Sequence, residues 1–247
     1  MPRFAVIFPA AGSSQRFAPS SDFRLKKPFV DLKGRPVWLR AVEAFMGRED
    51  VCQCLLVLAA EDIAEFKERN RAHLAFMNLE IVTGGAARSD SVANALEKVT
   101  AEAEFVAVHD AARPVMAKSW IDAVFAAAVT HGAAIPAIPI TSTIKRTDSS
   151  LVIRETVPRE HLWAAQTPQV FEKGLLREAY ARRQGLQATD EAQLVEQLGR
   201  PVTIVPGSPL NLKITTQDDL RLAGTFLGLL PNEKSLNFLH PFSDEKL

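Results

Sequence analysis

Phe4-Ala5-Val6-Ile7-Phe8-Pro9-Ala10-Ala11-Gly12-Ser13-Ser14-Gln15-Arg16 is the stretch on which the reading of this chain turns. An apolar run breaks at Pro9 into a loop of small residues, which delivers Arg16 and, further on, the pair Lys26-Lys27. Small residues let backbone N–H groups approach a phosphate chain closely, and nearby cations neutralise its charge. A strand that ends in such a loop places an anion site at the C-terminal edge of a sheet, where open α/β folds bind their ligands. The expectation is a nucleotide site built around the first strand.

Outward from that stretch, apolar runs alternate with helical stretches, the pattern of a parallel sheet wound by helices. Strands are predicted at 3–9, 53–59, 79–83, 105–109, 133–138 and 202–205, and helices at 37–47, 61–73, 88–99, 118–131, 172–183, 189–198 and 216–227. The alanine-rich stretch 120–129 suits a helix packed closely on a sheet. Between Ile140 and Pro158 the pattern changes. Residues 143–147 and 151–156 flank the polar turn Asp148-Ser149-Ser150, which predicts a β-hairpin. The fold class expected is therefore α/β: a Rossmann-like, mostly parallel sheet with helices on both faces and an inserted β-hairpin arm. Residues 1–231 are expected to form a single domain carrying the arm at about 140–160, and residues 232–247 a C-terminal tail.

Composition narrows the function classes. The chain has 247 residues, 47% of them hydrophobic and 23% charged, with a formal net charge of zero. No global field favours nucleic acid or an anionic membrane. No segment has the length of a membrane span, and no signal-type apolar core follows a charged N-terminus. Cys52 and Cys54 alternate along a predicted strand without neighbouring His or Cys ligands, so they read as buried thiols of a cytoplasmic protein.

Further candidate site elements follow the same logic. Val82-Thr83-Gly84-Gly85-Ala86-Ala87-Arg88-Ser89-Asp90-Ser91-Val92 leaves a strand and opens a helix; its glycines free main-chain groups to face a planar base, and Ser91 adds a hydroxyl. Phe105-Val106-Ala107-Val108-His109-Asp110-Ala111-Ala112-Arg113-Pro114 ends a hydrophobic strand in an acid. A carboxylate there is placed to hold magnesium, which needs one or two carboxylates besides substrate phosphate oxygens. His109 reads as a structural hydrogen-bonder and Arg113 as a pin for the loop. Thr189-Asp190-Glu191-Ala192 reads as a helix start, with Thr189 as N-cap and acids in the first turn. Lys213, in Asn211-Leu212-Lys213-Ile214-Thr215, and Arg159, just past the hairpin, are ordinary taken alone.

Together these strings resemble the 2-C-methyl-D-erythritol 4-phosphate cytidylyltransferase family, of the nucleotidyltransferase fold. The resemblance rests on Ala10-Ala11-Gly12 with Arg16, Lys27, Gly84-Gly85 with Arg88 and Ser91-Val92, and His109-Asp110-Ala111-Ala112-Arg113-Pro114. It continues, in family order across about residues 4 to 227, through Thr143-Ile144-Lys145, Gln166-Thr167-Pro168-Gln169, Thr189-Asp190-Glu191-Ala192 and 211–215. Two departures stand out: Ser14 replaces a usual glycine and Ser142 a usual aspartate. The family's lysine string appears as Lys26-Lys27-Pro28-Phe29, where spacing from Phe29 selects Lys27.

The resemblance implies cytidylyl transfer from CTP to methylerythritol phosphate, with release of pyrophosphate, in the non-mevalonate route to isoprenoids. Arg16 and Lys27 would stabilise charge on the CTP phosphates, and Asp110 would bind Mg2+. Arg159 and Lys213 would hold the acceptor phosphate, with Thr143 and Thr189 lining its site. Ala10, Ala11, Gly12, Gly85, Ala86, Ser91 and Ala111 would contact the nucleotide. The implied assembly is a homodimer clasped through hairpin arms, so that Arg159 serves the neighbouring site; neither nucleic acid nor membrane is an expected partner. The competing readings are a ribitol 5-phosphate cytidylyltransferase, disfavoured by the intact Thr143-Ile144-Lys145 and Thr189-Asp190-Glu191 strings, and a non-catalytic nucleotide-binding protein of the same fold.

Overall fold

Alternation of side chains along the first strand organises both faces of the sheet. The computed structural model describes residues 1–12, 17, 26 and 28–231. In chain order the elements are β1 (Phe4–Pro9), β2 (Asp31–Leu32), β3 (Arg35–Pro36), α1 (Val37–Met46), β4 (Val51–Leu58), α2 (Ile63–Arg69), α3 (Arg71–Phe76) and β5 (Leu79–Thr83). They continue with α4 (Arg88–Leu96), β6 (Phe105–Val108), α5 (Lys118–His131), β7 (Ala133–Pro139), β8 (Ile144–Thr147), β9 (Ile153–Val157), β10 (Trp163–Ala165) and β11 (Gln169–Glu172). The last are α6 (Lys173–Ala181), α7 (Glu191–Gln197), β12 (Thr203–Pro206) and α8 (Gln217–Phe226).

The main sheet runs β10-β7-β11-β6-β1-β4-β5, with β12 also paired to β7. β1 pairs in parallel with β4 and β6, β4 with β5, and β12 with β7, whereas β10 and β11 run antiparallel to their neighbours. The mostly parallel sheet is thus as expected. Successive residues of a strand face opposite sides. Phe4, Val6 and Phe8 enter one apolar cluster with Trp38, Phe45, Ile121 and Phe125 from α1 and α5. Ala5 and Ile7 enter another with Val92, Leu96, Leu176 and Leu194 from α4, α6 and α7. Both faces of β1 are therefore apolar and helix-covered, as a central parallel strand requires. The long α5 ends at Gly132, whose φ of 80° lies in the left-handed region and lets its N–H reach Ala128 O at 2.7 Å.

Three details differ from the sequence reading. The helix expected at 61–73 divides at Asn70, whose side-chain amide donates to Phe66 O at 2.9 Å and competes with continued helix. β2, β3, β10 and β11 have no counterpart among the predicted strands, and β11 lies between β6 and β7. The helix expected from 172 begins at Lys173, because Glu172 completes β11. The hairpin forms where expected, β8 pairing antiparallel with β9 and Asp148 Oδ1 accepting the N–H groups of Ser150 and Val152. Its tip carries exposed Leu151, Val152 and Ile153.

Lys26 is buried against Asp62. Its ammonium donates to both Asp62 carboxylate oxygens, at 2.7 and 2.6 Å, with both side chains buried. Removing one partner leaves the other charge buried and alone, which costs several kcal/mol. Asp62→Ala is therefore expected to lower unfolding stability in urea by about 3 kcal/mol; a loss no larger than that of an exposed ion pair, below about 0.5 kcal/mol, would contradict this burial.

Candidate active site

Two loops at the C-terminal edge of the sheet meet face to face. Ala10 N–H donates to Val57 O at 2.8 Å, and Gly84 N–H to Leu58 O at 2.7 Å, so β4 holds both loops at adjacent positions. Their approach explains Gly84: a Cβ there would lie 2.7 Å from Ala11 Cβ and 2.9 Å from Ser91 Oγ. Ser91 Oγ accepts from Gly85 N–H at 3.1 Å and donates to Ala87 O at 3.0 Å, which fixes the turn into α4. Between the loops lies a cavity of about 410 Å³, within the range of small-molecule sites. Ala10, Ala11, Gly12, Gly85, Ala86 and Ser91 line it, with Arg88, Asp110 and Lys213 at its charged end.

Asp110 follows the end of β6, and cations converge on it. Lys213 Nζ lies 2.8 Å and Arg113 Nε 3.4 Å from Oδ2, while Arg88 Nε lies 3.6 Å from Oδ1. Burial by itself would raise this carboxyl's pKa; Lys213, Arg88 and Arg113 together outweigh it and hold the group well below the ordinary carboxylate range. Arg88 follows the same logic with opposite sign: burial would lower its pKa, but Glu191 and Asp110 raise it. Both groups stay charged. A second cavity of about 180 Å³ shares Arg88, Asp110 and Lys213 with the first and adds Arg113, Gln166, Thr167, Gln169, Thr189 and Asp190. The two spaces meet at a common charged wall.

The polar loop behind Asp110 is tied down in full. His109 Nε2 faces Arg113 O at 3.1 Å, so this nitrogen carries the proton. Nδ1 then accepts from Thr167 Oγ1 at 3.1 Å, and Thr167 Oγ1 in turn accepts Asp110 N–H at 3.1 Å. Arg113 donates through NH1 to Asn211 O at 2.7 Å, while Asn211 Nδ2 donates to Thr167 O at 2.8 Å. The structural roles read for His109 and Arg113 hold, and the Gln-Thr-Pro-Gln string proves to be the partner of the His-Asp loop.

The expected site residues divide into groups. Asp110, Lys213, Thr189, Ala10, Ala11, Gly12, Gly85, Ala86 and Ser91 come together around the joined cavities. Ala111 does not line them: its methyl is buried in the core on one face of β1, and Ala112 takes the lining position. Thr143 and Arg159 lie at the base of the arm and line neither cavity; Arg159 NH1 donates to Thr141 O. Arg16 and Lys27 fall outside the described residues. The N-cap of α7 is Asp190 rather than Thr189, its Oδ1 accepting Gln193 N–H at 3.1 Å. Thr189 instead donates to the Gln193 side-chain oxygen. Sequence reasoning singles out neither Gln169, which caps α7 by accepting the N–H groups of Glu191 and Ala192, nor the pairing of Arg88 with Glu191.

His109 is fully enclosed, and burial, the largest influence, pushes its pKa down to about 4. The unfolded chain, with an ordinary imidazole pKa near 6.5, binds more protons than the folded one between those values. Stability therefore rises with pH through that window, is complete above about pH 6.5, and is lost on acidification. From about pH 7.5 to about pH 5 this group is expected to remove about 2 kcal/mol. Urea unfolding of the wild type against His109→Gln checks this: the variant should show a flatter pH dependence by that amount, and equal slopes would contradict it.

Comparison with known proteins identifies the family. The family model described as "IspD: 2-C-methyl-D-erythritol 4-phosphate cytidylyltransferase" matches residues 4–228. Among curated relatives, the 2-C-methyl-D-erythritol 4-phosphate cytidylyltransferase of Rhodopirellula baltica is 44% identical over 236 residues, covering 90% of this chain and 94% of its own. That of Bacillus pumilus is 38% identical, covering 89% and 95% respectively. The crystal structure of the Thermus thermophilus enzyme of that name superposes with a TM-score of 0.73 at 33% identity, covering 92% of this chain and all of that one. The matched span includes every element of the joined cavities, from the loop after β1 to Lys213, and the chain belongs to the 2-C-methyl-D-erythritol 4-phosphate cytidylyltransferase family.

Proposed function

We propose that this chain transfers the cytidylyl group of CTP to the phosphate of 2-C-methyl-D-erythritol 4-phosphate and releases pyrophosphate, a step of non-mevalonate isoprenoid biosynthesis. The observation that carries the reading beyond family membership is the pair of cavities joined at Arg88, Asp110 and Lys213. One space suits a nucleotide between two small-residue loops; the other suits a small polyol phosphate. Their shared wall is where an acceptor phosphate oxygen would attack the α-phosphorus of CTP as the bond to the leaving pyrophosphate breaks.

The attacking oxygen is already anionic, so no general base is needed. His109, beside Asp110, is enclosed, neutral and committed to Arg113 O and Thr167. The remaining barrier is repulsion between two polyanions, which fixed cations lower while holding the reacting oxygens in line. Lys213 is set by Asp110 to meet the acceptor phosphate.

Asp110 suits a magnesium ion by its donor chemistry: it is a hard oxygen donor at the junction of the cavities. No group of three His, Cys, Asp or Glu side chains that would form a dedicated cage occurs among the described residues. Magnesium needs only one or two protein carboxylates, with water and substrate phosphate oxygens as its other ligands. When bound, it would neutralise phosphate charge and polarise the phosphoryl oxygens.

The role of Lys27 is supported by its neighbour, since Lys26 is committed to Asp62 in a buried pair. A homodimer joined through the arm is supported by the exposed Leu151, Val152 and Ile153, and by the fact that neither Arg159 nor Thr143 lines its own chain's two cavities. A cytoplasmic location accords with two free cysteines. No helix among the described residues is long and apolar enough to cross a membrane.

With CTP and magnesium, pyrophosphate release is expected with methylerythritol phosphate and not with ribitol 5-phosphate; the reverse preference would overturn the acceptor. Lys27→Ala should abolish turnover, and Lys213→Ala should reduce it by roughly 10³-fold, each with an unchanged circular dichroism spectrum. Near-normal activity in either would refute its role. Mixing Arg159→Ala subunits with Lys27→Ala subunits should restore activity, because in the mixed dimer one site receives both Lys27 and the other chain's Arg159. Failure of two inactive variants to complement would place Arg159 outside the neighbouring site.

A further inference from the structure

Glu191 is a charged side chain with 1% exposure, at the first position of a helix whose start could be capped without it. A buried carboxylate is costly unless its oxygens are fully engaged, and here they are. Arg88 NH1 lies 2.7 Å from Oε1 and NH2 3.0 Å from Oε2, a fork-to-fork pair, while Tyr180 OH donates to Oε1 at 3.0 Å. Both terminal nitrogens of Arg88 are thereby turned toward Glu191, leaving Nε on the side of Asp110, 3.6 Å from Oδ1. The backbone of Glu191 is held as well, its N–H donating to Gln169 Oε1 at 3.0 Å. Glu191 thus sits where α7, α4 and β11 meet, behind the wall that the two cavities share.

From this arrangement we infer that Glu191 is a positioning residue for the transfer reaction: it locks the Arg88 guanidinium against Asp110 at the seam between the nucleotide and acceptor spaces. This rests on the cytidylyl-transfer reading above. An arginine lining the nucleotide cavity would otherwise swing toward the strongest anion present, the triphosphate, and leave Asp110 with two cations in place of three. Bidentate geometry prevents that rotation in a way a lysine or a single hydrogen bond would not. A second consequence follows from sequence proximity. Thr189 and Asp190, which line the acceptor cavity, immediately precede Glu191, so the same carboxylate sets the register of the acceptor wall relative to Arg88. Displacements of about 1 Å in such a constellation cost on the order of 10²-fold in rate.

Steady-state kinetics on the full chain with CTP, magnesium and methylerythritol phosphate test this, beginning with the wild type. Absence of wild-type turnover would overturn both the functional reading and this inference. Given turnover, Glu191→Gln should lower kcat by about 10- to 100-fold while changing the KM for CTP by less than about three-fold. The double variant Arg88→Ala with Glu191→Gln should be no slower than Arg88→Ala alone, since Glu191 acts through Arg88. Multiplicative losses, or a Glu191→Gln enzyme with wild-type kcat, would refute the positioning role while leaving the overall reaction intact. If Glu191→Gln does not fold, Glu191→Asp, which keeps the charge but shortens its reach, should show the same selective fall in kcat; an unchanged kcat there would equally refute it.

Discussion

Asp110 is the constraint around which the rest of the molecule is arranged. A carboxylate enclosed at the end of a hydrophobic strand must either take up a proton or be surrounded by positive charge, and here Lys213, Arg88 and Arg113 supply that charge from three separate stretches of chain. Two of these cations are secured in turn, Arg88 by Glu191 and Arg113 by Asn211 O. The loop between Asp110 and Arg113 is secured by His109 and Thr167. Most members hold more than one partner, Asp110 three cations and Arg113 both Asp110 and Asn211 O. The site is therefore a connected network whose members hold one another, not a pocket with isolated functional groups along its rim.

The sheet makes that network possible by where its strands end. β1, β4, β5 and β6 run in one direction and finish at the same edge, so the small-residue loop, the glycine pair and the His-Asp loop emerge side by side. β11 enters antiparallel between β6 and β7, and this brings the segment immediately before it, Gln166 and Thr167, under the His-Asp loop. An all-parallel sheet would need a long crossover to deliver those residues to that edge. Apolar clusters on both faces of β1 keep the edge from shifting.

Much of this is legible in the sequence, for physical reasons that also explain what is not. The first strand is a long apolar run ended by proline, and the structure places it at Phe4–Pro9; residues 79–83 read as a strand and form one. β10 has only three residues and β11 a single apolar pair between Gln169 and Glu172, so neither gives a clear apolar run, and their pairing is set by distant strands. Asn70 interrupts a helix through a side-chain bond that apolar spacing does not encode. In the site, Asp110 can be picked out because an acid at the end of a strand is a local signal, whereas Lys213 is ordinary taken alone and stands out only through the family resemblance. Glu191 reads as ordinary first-turn acid. Its real partner, Arg88, is 103 residues away in sequence, and nothing in either neighbourhood announces the other. Ala111 and Ala112 show the same limit at a finer scale, since which of two adjacent alanines faces the cavity depends on how the loop turns.

The wall common to both cavities has a further consequence for anyone wishing to alter or block this protein. Because Arg88, Asp110 and Lys213 border both spaces, a redesign that enlarges the acceptor compartment through them necessarily disturbs the nucleotide compartment too. Room for a different polyol has to be made away from that wall, around exposed Thr189. Conversely, a single small molecule bridging the partition engages both compartments through one set of charges, and a resistance substitution at those charges would disable the catalyst along with the inhibitor's hold.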